Sequence, residues 1–213
     1  AQLAAESKRY RPNSSRAGLV LVGDSIFEHL RGTSYGRFKS RAAELPAVLA
    51  STLGQRWEHP TVLAISGDQT QHVLWRIVNG EISKEMARDR RLIVVLLIGT
   101  NNLGRGHLPE ETANGIIAIV RRLLGRVEGR ILVTGLLPRG DGPSVLPTLC
   151  PPRCNHQGQP FSSFAPAVER VNTRVRMGTL SLSIRYPSRV AFVDCGDAFR
   201  RQNGSTEQVS TAL

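Results

Sequence analysis

Apolar residues along this chain fall into short unbroken runs separated by polar turns. The runs at 19–22, 62–65, 92–98, 131–136 and 190–193 lack the alternation of a half-exposed strand and predict strands covered on both faces. Between them apolar positions recur at helical spacing over about 40–53, 72–78, 110–124 and 164–180. In the third stretch Ile116, Ile117, Val120, Leu123 and Leu124 form one stripe that would face a sheet. Strands alternating with helices predict an α/β protein with a parallel sheet and helices on both faces.

The first seventeen residues are polar and basic and read as an N-terminal arm rather than core. Residues 18–213 show no internal repeat and no second composition regime, which predicts one domain. Within it, 138–160 is rich in Gly, Pro and Cys and reads as an inserted loop. A length of 213 residues suits one α/β domain with a sizeable core. The longest apolar run, "LIVVLLIG", is far shorter than the ~20 residues a transmembrane helix needs.

Charge widens the choice of partners. The formal net charge is +11, yet only three of the 28 basic residues are Lys. Such a balance fits nucleic acid, an anionic membrane surface or an acidic assembly. The arginines are scattered, however, and aromatic content is 5%, so direct nucleic-acid binding is disfavoured. Three cysteines make no disulfide framework. Cys195 is expected to be a small buried residue at a strand end. Cys150, Cys154 and His156 ("CPPRCNH") offer three metal ligands without a fourth, and a Pro-rich surface insertion is the better reading.

In open α/β sheets ligands bind beyond the carboxyl ends of the strands. Polar residues gather there: "GDS" (23–25), "SGDQT" (66–70), "GTNN" (99–102), "GLLPRG" (135–140) and "DCGD" (194–197). No phosphate-binding glycine fingerprint and no GxSxG elbow is present. Acyl transfer needs a nucleophile, donors for an oxyanion and a base. Ser25 suits the first task. The Gly67 N–H and the Asn101 side chain suit the second, together with the Ser25 N–H. Each has a plainer reading too, as a helix cap, a turn glycine and a loop-bracing amide. Asp24 reads as a loop brace, and Asp68 and Asn102 as supporting residues.

The blocks "GDS", "SGDQTQ" and "GTNN" resemble those of the GDSL/SGNH hydrolases. "GDQTQHVLWRIVNGE", "VVLLIGTNN", "GIIAIV" and "GLLPRG" look like the catalytic subunits of intracellular, type I platelet-activating-factor acetylhydrolase. The resemblance runs with gaps from about Gly18 to Phe199. It implies a flavodoxin-like three-layer α/β/α sandwich with a five-stranded parallel sheet, and hydrolysis of a short acyl ester through an acyl-serine. It makes Ser25 the nucleophile, with Gly67 and Asn101 completing the oxyanion hole. It also implies no metal or other cofactor, and often a dimer.

The family's last block, Asp-x-x-His, is not found in these 213 residues. Asp194 corresponds to an aspartate upstream of that pair. His72 is expected to be packed or hydrogen-bonded, His29, His59 and His107 to lie on the surface or in loops, and His156 to sit in the insertion. Two hypotheses follow. One is a serine esterase whose base lies outside the sequence given. The other is a catalytically incomplete subunit that serves as a structural or interaction component of a larger assembly. Without a secretory signal or disulfide pattern, the expected place is the cell interior, by default the cytoplasm, with an organelle as the alternative.

Overall fold

A computed structural model of the protein describes residues 2–12, 15–139, 163–203 and 206–209. Most of the insertion expected at 138–160 lies outside the described residues, and with it Cys150, Cys154 and His156.

The five apolar runs are the five strands of one parallel sheet. They are β1 (Gly18–Gly23), β4 (Glu58–Ala64), β5 (Ile93–Leu97), β6 (Arg130–Thr134) and β7 (Val190–Val193), in the order β4-β1-β5-β6-β7. All four pairings between neighbours are parallel. Two short strands, β2 (Thr33–Ser34) and β3 (Arg37–Phe38), form a separate antiparallel hairpin, and β8 (Arg200–Asn203) pairs with β9 (Thr206–Val209) in another.

Three long helices cover one face of the sheet: α4 (Thr70–Val78), α7 (Pro109–Leu124) and α8 (Ala165–Arg185). Val73 and Ile77 of α4, the predicted stripe of α7, and Val168, Val171 and Val175 of α8 pack there on Val20, Val22, Leu63, Val94, Leu96 and Val133. Helix α7 has Pro at its start, Glu110 and Glu111 in its first turn and Arg121 and Arg122 in its last, all in accord with the helix dipole.

On the opposite face Leu19, Leu21, Val62 and Ala64 meet Leu49, Leu53 and Trp57, from or next to α3 (Leu45–Arg56). The helix expected over 40–53 is thus a short 3₁₀ turn at Ser40–Ala42 followed by α3. Farther along that face Val95, Leu97, Leu132, Thr134 and Val193 line an apolar cavity of about 600 Å³.

The basic opening segment does not stand off the body as an arm. Helix α1 (Gln2–Ser7) buries Leu3 and Ser7, and Tyr10 is buried behind them. The Tyr10 hydroxyl donates to Asp89 Oδ2 at 2.6 Å, and Gly18 leaves room for it, since a β carbon there would lie 1.8 Å from that oxygen. Leu3, Ser7 and Tyr10 share one face at spacings of four and three, a sparse stripe hidden among charged neighbours.

Candidate active site

Gly23 at the end of β1 stands level with Ala64 of β4 and Leu97 of β5, so the chain leaving these three strands converges on one edge of the sheet. The residues singled out in the sequence lie just beyond: Ser25 after β1, Gly67 and Asp68 after β4, Asn101 and Asn102 after β5 in the short helix α6 (Thr100–Gly104). The structure brings these loops together through hydrogen bonds.

Ser25 opens the short helix α2 (Ser25–Glu28) and is half-buried. Asp24 caps that helix, accepting from the Ile26 N–H at 3.1 Å, as its brace role requires. Its Oδ2 is buried without a hydrogen bond among the described residues. Burial, reinforced by the nearby Asp68 and opposed by the Ile26 hydrogen bond and Arg139, pushes the Asp24 carboxyl up to about 6.

Gly67 has φ +80°, a conformation glycine adopts without strain. Beside it, the Asn101 side chain crosses from the β5 loop and donates through Nδ2 to the Asp68 carbonyl oxygen at 2.8 Å. Asn102, 1% exposed, braces the same corner one residue on. Its Oδ1 accepts from the Thr70 N–H at 2.9 Å, and its Nδ2 donates to Thr70 Oγ1 at 3.1 Å. The Asp68 carboxylate accepts from Arg76 Nε and Nη2, and Arg76 also pairs with Glu81.

The described histidines have defined settings. His72 Nδ1 accepts from the Gln69 N–H at 3.1 Å, which caps α4 and leaves the proton of the neutral ring on Nε2. His29 is half-buried, and burial, with Arg41 and Lys39 nearby, lowers its pKa. His107 lies in the loop between Gly104 and Pro109, as expected, and is half-buried. Its Nε2 stands 3.5 Å from Gln69 Nε2, which also reaches the Asn101 carbonyl at 3.4 Å. Cys195 departs from expectation: it is an exposed free thiol, because the chain turns off the edge strand β7 before reaching it.

Three further residues at this edge were not among the candidate site residues. Glu28, on the same helix as Ser25, is fully buried. Its Oε1 accepts from Thr33 Oγ1 (3.0 Å) and the Gly36 N–H (2.7 Å). Its Oε2 accepts from the N–H groups of Tyr35 (3.0 Å) and Ser66 (2.5 Å). Burial alone would raise its pKa, but these hydrogen bonds overcome it and hold the carboxyl down at about 2. Tyr35 stands beside Gly67. Arg139, from "GLLPRG", donates through Nη1 to the Thr100 carbonyl at 2.8 Å and lies over the Phe164 ring.

The edge thus gathers a serine, a glycine at positive φ and an asparagine on adjoining strand loops of a five-stranded parallel sheet, the residue types expected from the resemblance to the SGNH hydrolases. The chain belongs to the GDSL-like lipase/acylhydrolase family, whose sequence profile matches residues 21–211.

Among individual proteins it is similar to platelet-activating factor acetylhydrolase IB subunit alpha1 of Bos taurus and of Homo sapiens. Each is 46% identical over 146 residues, covering 68% of this chain and 52% of the relative. The chain spans about half the length of these curated relatives. Subunit alpha2 of Gallus gallus is 43% identical over 83 residues, 38% of this chain and 34% of that one.

Two solved structures share the fold. A candidate acylhydrolase from Bacteroides fragilis superposes with a TM-score of 0.65 at 16% identity, over 99% of this chain and 82% of that one. A GDSL-like lipase from Bacteroides thetaiotaomicron gives 0.57 at 14% identity, over 94% and 79%.

Proposed function

We propose that the protein is a serine ester hydrolase that removes a short acyl group, acetyl being the group named in its relatives, through an acyl-serine intermediate. The observation that carries this reading is the Asn101 side chain. A primary amide has two N–H donors. One is held by the Asp68 carbonyl, which fixes the amide plane against the Gly67 loop and leaves the other for a ligand oxygen.

In the reaction Ser25 Oγ adds to the ester carbonyl carbon, and the carbonyl π pair moves onto oxygen. The Ser25 N–H, the Gly67 N–H and the second Asn101 N–H donate to that oxyanion. Collapse of the tetrahedral species expels the alcohol and leaves the acyl-serine, which water then hydrolyses by the same addition and collapse. Asn102 and Asp68 position the two donor loops. Asp24 positions Ser25 by capping its helix.

The serine proton needs an acceptor. His72 is committed to capping α4, and no Asp-x-x-His stands in the 213 residues, so this reading takes its base from outside the sequence given. The second reading, a binding subunit of an assembly, is supported by the net charge of +11. The three cysteines without a disulfide framework fit a protein of the cell interior under either reading.

Treatment with a fluorophosphonate followed by peptide mass spectrometry separates the two. The esterase carries the adduct on Ser25, hydrolyses p-nitrophenyl acetate, and loses both properties in Ser25→Ala. Absence of an adduct and of turnover in the full-length protein refutes it. Asn101→Ala in the active protein lowers kcat by about 10²–10³, as loss of an oxyanion donor does.

A further inference from the structure

The hairpin between β2 and β3 turns through Tyr35 and Gly36, with φ of +51° and +73°. Two-residue turns with both central residues at positive φ favour Asn-Gly or Gly-Gly, because a β carbon with a bulky substituent is strained there. A tyrosine at the first position is held against its backbone preference.

What holds it is Glu28. Its carboxylate accepts the N–H groups of both turn residues and the Thr33 hydroxyl, and on the other side the N–H of Ser66, the residue before Gly67. Ser34 Oγ and Ser66 Oγ add a further bond at 2.9 Å. The hairpin is thereby fastened to the Gly67 loop and to the helix that begins with Ser25.

The ring so held gives little back in burial, since Tyr35 is 69% exposed. It stands instead on the flank of Gly67. A β carbon built on Gly67 would lie 2.9 Å from the phenol oxygen and 3.4 Å from the ring. The same tyrosine lines a cavity of about 480 Å³ with Leu3, Ile65, Trp75 and the inner residues Arg31 and Arg76. The phenol edge of Tyr35 therefore lies against Gly67, and the same residue lines the cavity. Strain kept at an exposed side chain beside a reactive corner is the pattern of a functional constraint.

We propose that Tyr35 is a specificity-determining residue: its ring is the wall that separates the Gly67 corner from this cavity and confines the acyl group on Ser25 to a short chain. This rests on the ester-hydrolase reading. Removing the ring joins the cavity to the site, and longer acyl chains then fit.

Tyr35→Asn is the informative variant, because asparagine suits the turn and only the ring is lost. The measurement is the rate of Ser25 phosphonylation by methyl- and hexylphosphonofluoridate, read by mass spectrometry, alongside kcat/KM for p-nitrophenyl acetate and hexanoate. The hexyl-to-methyl and hexanoate-to-acetate ratios rise roughly tenfold or more in Tyr35→Asn, in line with the weight of a few methylenes in a pocket. They stay at the wild-type value in Tyr35→Phe, which keeps the ring. Wild-type labelling with ratios within about twofold in Tyr35→Asn overturns the wall while leaving the esterase standing. No Ser25 adduct in any of the proteins overturns the esterase reading, and the wall with it.

Discussion

Replacing Glu28 by glutamine tests the organisation of this edge most directly. The carboxylate is enclosed by donors on both oxygens: Thr33 and Gly36 on one, Tyr35 and Ser66 on the other. Arg31 lies 3.4 Å away. In Glu28→Gln, whichever way the amide points, its NH₂ faces two N–H or O–H donors and can accept from neither. Disrupting a buried, fully bonded charge of this kind costs about 3–5 kcal/mol at neutral pH, a large part of the 5–15 kcal/mol typical of a domain.

The pH dependence separates the charge from mere shape. The folded carboxyl sits at about 2, below its ordinary 4.5, so it stabilises the fold above that ordinary value and the contribution fades as pH falls toward 2. The full contribution is about 3 kcal/mol, of which about 2 kcal/mol is gone by about pH 3. Urea unfolding of both proteins at about pH 7 and about pH 3 should show the gap between them narrowing by about 2 kcal/mol. A gap that is the same at both pH values would refute the claim that charge, rather than packing, holds the hairpin and the Ser66 N–H in place.

Two further outcomes are expected. Asp24 has its folded pKa raised to about 6, so it adds stability at low pH that is lost as pH rises through that value. Between about pH 4 and about pH 7.5 the unfolding free energies of wild type and Asp24→Asn should therefore move about 2 kcal/mol in the variant's favour, measured by denaturant titration. Tyr10→Phe removes a buried 2.6 Å hydrogen bond to a carboxylate far from Ser25. It should cost about 2 kcal/mol in the same titration and leave Ser25 labelling unchanged.

The architecture was legible because a strand buried on both faces must be apolar at every position. The runs at 19–22 and 92–98 state this without reference to the rest of the chain, whereas 190–193, equally apolar, forms the edge strand and buries only Val190. The strand-end blocks were legible for a related reason: a parallel sheet leaves the loops after β1, β4 and β5 side by side whatever the details. Those two regularities led to Ser25, Gly67 and Asn101.

Glu28 and Tyr35 were decided elsewhere. In sequence Glu28 is one polar residue in "SIFEHL", indistinguishable from a solvated helix position. It is buried because donors five, seven, eight and 38 residues away fold onto it, and no local pattern encodes that distance. Tyr35 reads as a surface aromatic until its turn conformation and its contact with Gly67 are known. Leu3 and Tyr10 likewise became core when β4, α5 (Lys84–Arg88) and Asp89 offered a surface and a partner. Burial of apolar runs is a local property of the chain. The burial of a charge depends on partners that only the folded chain assembles.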